Sequence, residues 1–243
     1  MKLSDAQLAQ FEHDGFILLR GFVDKKRCEA ILEAAKEEIE TRNPPIETEG
    51  EYVETDNTTL RRLRQVYDRR QEFRDWMTEE EIRPMLAQVL NDTPVLTLAH
   101  HNSIMTKMPS TSTETCWHQD RRYWSFENDN LVSVWLALGE ERMENGVLEF
   151  IPGSHKLTYK PEQFDARTCF LTGRPENDAL IEQKVHYDLH AGDVIIFHCR
   201  TLHHAFENRT NEPKIAFVYT VKGMNTKAKP GTRSSEFPEI VLQ

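Results

Sequence analysis

From residue 95 onward the chain breaks into runs rich in β-branched and aromatic residues, separated by turn signals. They fall at 95–108, 131–138, 147–151, 184–189, 193–198 and 214–221. Such runs lack the 3.6-residue apolar period of a helix, and strands spaced this way close into a sandwich or barrel. This constrains the second half to a β core.

The first ninety residues read differently. Ser4 and Gln7 have capping-box spacing at the start of a short helix, and Gly15 can close it. A strand is expected over 16–22. Asp24 can cap a second helix with Cys28, Ile31, Leu32, Ala35 and Ile39 on one face, and Asn43-Pro44-Pro45 stops it. Residues 47–58 are acidic and polar. They predict a mobile loop, with a lid over a site mouth and a solvated surface loop as equal readings. Helical patterns return over 59–90, broken near Arg83-Pro84. The expected architecture is one domain over 1–243, mainly β. It has a helical N-terminal part (1–92), a β core (93–222) and a C-terminal tail (223–243).

Composition narrows the partners. The 243 residues carry a net charge of −10 and show no basic stripe, which argues against nucleic acid. No apolar run approaches a membrane span, and the opening residues are polar rather than signal-like. Four cysteines (Cys28, Cys116, Cys169, Cys199) are widely spaced without a CxxC, and a chain of this size needs no disulfide. A cytoplasmic protein acting on a small molecule is the expectation.

The chemistry is concentrated in His118-Gln119-Asp120 and a distant His203. On a strand, residues two apart share a face, so His118 and Asp120 would project together. A second imidazole from another strand completes two histidines and one carboxylate, the facial triad of non-haem Fe(II) oxygenases, with coordination positions left open. Taken alone, a His-x-Asp pair is more often a surface pair or a strand hydrogen bond.

Three blocks surround these residues: 116–124 (CWHQDRRYW), 144–155 (ENGVLEFIPGSH) and 192–208, which contains GDVIIFH, LHH and Asn208. With the opening LSDAQLAQFEHDGFILLRGFV, this ordered set closely resembles the phytanoyl-CoA dioxygenase family of Fe(II)- and 2-oxoglutarate-dependent oxygenases. The resemblance runs from about residue 3 to residue 222. It implies a double-stranded β-helix with iron at one open end. It also implies Fe(II), 2-oxoglutarate and O2 as cofactor and cosubstrates, and hydroxylation of an unactivated C–H bond with release of succinate and CO2. The metal ligands carried over are His118, Asp120 and His203. An aspartate at 120 argues for hydroxylation, since related halogenases have a small residue there.

The family's carboxylate-clamping arginine falls on Lys214, which has the charge without the bidentate fork; Arg209 is the rival. Trp135, Thr106 and Lys107 are further cosubstrate candidates. Core packing is an equal reading of Trp135, and a strand-end role the plainer reading of Lys107. Tyr123, Trp124, Arg121 and His204 are substrate-side candidates, with a rim salt bridge the plainer account of Arg121. His198 and His155 are expected to be structural. Two other functions stay open: an iron enzyme on the same barrel that does not use 2-oxoglutarate, and a non-catalytic cupin-like binding protein.

Overall fold

A computed structural model describes residues 1–52 and 58–243. Five helices carry the labels α1 (Asp5–Asp14), α2 (Lys25–Thr41), α3 (Gln71–Met77), α4 (Arg83–Leu90) and α5 (Pro175–Ile181). The strands of the first half are β1 (Phe16–Leu19), β2 (Ile46–Thr48), β3 (Leu60–Arg64), β4 (Pro94–Thr97), β5 (Ser103–Lys107) and β6 (Thr115–His118). Those of the second half are β7 (Leu131–Ala137), β8 (Glu149–Phe150), β9 (Val185–His186), β10 (Val194–His198), β11 (His203–Ala205), β12 (Lys214–Gly223) and β13 (Glu239–Val241).

Both N-terminal helices start where local chemistry places them. The Ser4 hydroxyl accepts from the Gln7 backbone N–H, and the Gln7 side chain accepts from the Ser4 N–H. Asp24 accepts from the Arg27 N–H at the start of α2. Gly15 closes α1 at φ 84°, and a side chain there would strike His155 and Thr201.

Two antiparallel sheets make a double-stranded β-helix of the jelly-roll kind. The larger runs β1-β10-β7-β12-β5-β3-β2, with β4 on the far half of β12 and β13 on β4; the smaller runs β6-β11-β8-β9. Alternation along the large sheet creates two apolar faces. Ile104, Val134, Leu136, Ile196, Phe217 and Tyr219 face the helices, meeting Ile31, Ala35, Phe73 and Trp76. Phe73 packs edge-on against Phe217, and Trp76 against Tyr219. The opposite face, with Trp135, Ala137, Ile195, Phe197, Ala216 and Val218, meets Phe150, Val147 and Ala205 inside the barrel.

Several expectations need correction. Residues 60–64 fall in the 59–90 stretch read as helical, where Leu60 and Leu63 are three apart, but they form β3. Pairing with β5 and β2 outweighs that spacing. The boundary at 92 is not clean either, since β1, β2 and β3 all join the large sheet. The run 95–108 is two strands, divided by a turn in which His101 has φ 27°. Part of the expected tail is strand: β13 pairs with β4, and Leu242 is buried. The acidic stretch is not a solvated loop over 47–49, although Glu51 and Tyr52 are exposed. Glu47 and Glu49 are buried, and Arg61 and Arg62 pair with them. The rest of that expectation, residues 53–57, lies outside the described residues. Finally, Cys116 and Cys169 are bonded to each other, although a chain of this size needs no disulfide. Among the described residues no helix is long and apolar enough to cross a membrane.

Candidate metal centre

β6 ends at His118, and β11 begins at His203; the two are directly opposite in the β6–β11 ladder, with ring centroids 4.1 Å apart. Asp120 is not on the strand. It opens a 3-10 turn (Asp120–Tyr123) just after it, so the turn rather than strand alternation brings the carboxylate round. A ligand atom from each of His118, Asp120 and His203 lies within 4.8 Å of the others, and all three residues are buried. The Asp120 Oδ1 is 3.7 Å from His118 Nε2 and 3.6 Å from His203 Nε2.

The protonation pattern suits a cation. His118 Nδ1 lies 2.8 Å from the Cys116 carbonyl, and His203 Nδ1 lies 3.0 Å from the Thr201 carbonyl. A carbonyl only accepts, so each Nδ1 carries the proton and each Nε2 turns a lone pair inward. Burial, foremost, pushes both imidazoles towards the neutral form that ligates a metal. Burial raises the Asp120 carboxyl, but the adjoining His101 and His203 rings and the His101 hydrogen bond outweigh it and hold the group well below the usual carboxylate range. Two neutral imidazoles, one carboxylate and an oriented outer shell match the donor set of a non-haem Fe(II) site.

Two of these supports were missed in the sequence. Ser133, on the inner face of β7, donates to Asp120 Oδ2 at 2.7 Å. His101 Nε2 donates to Asp120 Oδ1 at 2.8 Å. The only sequence signals were Ser133's alternation with Trp135 and the doubled histidine at 100–101.

The cosubstrate candidates separate by strand face. Lys214 and Lys107 are opposite one another in the β12–β5 ladder, on the inner face. Thr106 has the other parity and its hydroxyl donates to the Leu60 carbonyl, so it does not reach the barrel interior. Lys107 is buried with three neutral acceptors, Thr113 O, Ala205 O and Thr115 Oγ1. Burial first, then Lys214, lowers its ammonium to about 6. Lys214 already has a partner that the sequence did not reveal. Its ammonium is 3.1 Å from Glu141 Oε2 and 2.5 Å from the Gly146 carbonyl. Trp135 donates to the other Glu141 oxygen at 3.0 Å, and its ring lies beneath the ammonium. Arg209 is exposed and paired with Glu207, away from the interior.

The substrate-side candidates also divide. Tyr123 and Trp124 line a cavity of about 380 Å³ that reaches His101 beside the triad. His204 turns to the opposite side of β11 from His203. It is held between Glu149 (2.9 Å) and Glu114 (2.7 Å) and stacked on Trp117, so it is structural rather than substrate-facing. Arg121 is tied to Asp129 and to the Phe126 carbonyl, a rim ion pair. Arg122 bonds the carbonyls of Arg167 and Thr168 and stacks on Tyr123. His198 and His155 pack on each other away from the triad.

A jelly-roll barrel carrying a buried His-Asp-His set at its mouth defines a metal-dependent oxygenase of the double-stranded β-helix class. The sequence comparisons then make the assignment specific. Residues 11–216 match the phytanoyl-CoA dioxygenase (PhyH) family, and the chain belongs to it. The chain is 25% identical to the ectoine dioxygenase of Streptomyces avermitilis, over 98% of this chain and 85% of that one. It is 23% identical to phytanoyl-CoA dioxygenase domain-containing protein 1 of Bos taurus, over 89% of each. Among solved structures, the epimerase SnoN in complex with Fe3+, alpha ketoglutarate and nogalamycin RO superposes with a TM-score of 0.77 at 20% identity, covering 93% of this chain and 86% of that one. EctD from S. alaskensis with 2-oxoglutarate and 5-hydroxyectoine gives 0.75 at 20%, covering 93% and 78%. The chain is thus similar to 2-oxoglutarate-dependent non-haem iron dioxygenases, and it is an enzyme of that kind.

Proposed function

We propose that this enzyme hydroxylates a C–H bond of a small or medium organic metabolite, with His118, Asp120 and His203 holding Fe(II). The observation that carries the reading is the convergence of three buried ligand atoms within 4.8 Å, two of them imidazole nitrogens whose lone pairs point inward. When bound, Fe(II) would activate O2, with 2-oxoglutarate as the co-reductant: one oxygen atom would go to succinate as CO2 is released, and the other to the C–H bond. The chain's own residues do the rest. Ser133 and His101 hold the Asp120 carboxylate in one orientation. Lys214 places positive charge on the inner wall, where a dicarboxylate would bind, opposite Lys107, whose ammonium burial lowers to about 6, and Trp135 fixes the face of the Lys214 ammonium. Phe150 and Phe197 pack against the His203 ring and keep water from that side. Tyr123 and Trp124 form part of the wall that substrate meets.

The test is iron content and succinate release in His203→Ala. Loss of both is expected, while Arg209→Met keeps both. Unchanged iron in His203→Ala, by elemental analysis, refutes the ligand set.

A further inference from the structure

The cavity at the mouth has a charge the whole chain does not. Against a net charge of −10, it presents Arg62, Arg64 and Arg233 to Glu47 and Glu51. Arg62 is spoken for, since its guanidinium donates to Glu47 at 2.9 Å. Glu47 is further engaged by the Tyr52 hydroxyl at 2.8 Å. Arg64 and Arg233 have no ion-pair partner among the described residues. They come from distant parts of the chain. Arg64 ends β3, opposite Ser103. Arg233 sits on a 3-10 turn anchored by its neighbour Ser234, which bonds His100 and the Ser125 N–H. Burial and then the nearby charges of Arg64 and Arg62 lower the Arg233 guanidinium, with Glu47 and Glu236 opposing them. Like charges converging on one cavity are relieved by an anion, and guanidinium forks suit a carboxylate or phosphate.

The same cavity has two open aromatic walls. Tyr52 is 43% exposed and Tyr123 60% exposed, an unusual concentration of apolar surface at one mouth. Each ring is held from one side by an arginine, Arg61 at 4.1 Å from the Tyr52 centroid and Arg122 at 4.5 Å from that of Tyr123. Stacked this way, the rings are fixed before any ligand arrives.

We propose that the substrate is an organic anion, a carboxylate or phosphate monoester with a flat or apolar body. Arg64 and Arg233 hold its acidic group, and Tyr52 and Tyr123 hold the body beside the metal. The proposal rests on the oxygenase reading above and adds the substrate class. Calorimetry on protein saturated with Mn(II) and 2-oxoglutarate tests it, so that the cosubstrate's own carboxylates are not the probe. The probes are phenylacetate against phenylacetamide, and phenyl phosphate against phenol. An anion should bind at least about tenfold tighter than its neutral counterpart. The member of the two pairs with the larger ratio separates carboxylate from phosphate. Arg64→Gln and Arg233→Gln should each reduce that preference, and the double variant should remove it, with Mn(II) content unchanged. Tyr123→Ala should weaken charged and neutral probes alike. Equal binding of charged and neutral probes, or a preference that survives in the double variant, overturns the proposal. Absence of Mn(II) or 2-oxoglutarate binding in the wild type refutes the oxygenase reading instead. The anion preference measured on the metal-free protein then still decides the arginine assignment.

Discussion

Replacing Glu141 tests the interior of the barrel most directly. Its carboxylate is fully buried and accepts from Lys214 at 3.1 Å and from Trp135 at 3.0 Å. Glu141→Leu leaves a buried ammonium with only the Gly146 carbonyl and an indole N–H with no acceptor. Breaking a buried ion pair from one side costs on the order of 3–5 kcal/mol. The orphaned indole adds about 1–3 kcal/mol. For a chain of this size each kcal/mol is about 2–4 °C, so a fall in Tm of at least about 6 °C is expected. Removing both charges is different, because apolar replacement of a buried pair is often neutral. Glu141→Leu with Lys214→Met should therefore be more stable than Glu141→Leu alone, a coupling that a double-mutant cycle by urea denaturation measures. The pair also bears on catalysis. If Lys214 clamps the distal carboxylate of 2-oxoglutarate, Glu141 competes for the same ammonium. Glu141→Gln should then lower the KM for 2-oxoglutarate, and Lys214→Met should raise it. Additive single effects on stability, or a KM that neither substitution moves, refute the reasoning.

Other outcomes follow from the same geometry. Ser133→Ala removes the donor to Asp120 Oδ2 and should weaken iron binding by roughly 10–100-fold in a chelator competition. Lys107, lowered to about 6 from an ordinary 10.5, resists protonation in the fold. As pH falls from 10.5 to 6, the unfolded chain takes up a proton that the folded one does not, so stability drops by at most about 1.4 kcal/mol per pH unit, and the penalty is constant below that window. Lys107→Met should flatten the rise in urea midpoint between pH 6.5 and 9, and an unchanged slope contradicts the assignment. Cysteines 116 and 169 close a loop with a sequence separation of 53, and Cys169→Ser should cost about 2–4 kcal/mol in urea unfolding. A variant as stable as the oxidised wild type would show that the bond contributes nothing.

Local chemistry was legible from residues alone. The Ser4–Gln7 box, the Asp24 cap and the Gly15 closure are contacts within a turn, so their spacing is the whole of their cause. The β character beyond residue 95 was readable because alternation and branching are local too, and the His118-Gln119-Asp120 motif because its ligands are neighbours in the chain. What failed was whatever depends on a distant strand. Leu60–Arg64 has helical spacing yet pairs with β5. Thr106 and Lys107 are adjacent and equally polar, but register sends one to a backbone carbonyl and the other into the barrel. His203 and His204 divide in the same way, one beside Asp120 and the other between Glu149 and Glu114.

The amino-acid order by itself thus determined the capped N-terminal helices, the β character beyond residue 95 and which residue types a metal would find. Tertiary structure alone decided their partners: Glu141 on Lys214, Ser133 and His101 on Asp120, and Arg64 with Arg233 at one mouth. The physical reason is the strand period of two. A shift of one residue in pairing reverses the face of every side chain, and that pairing is set by long-range burial that no local pattern encodes.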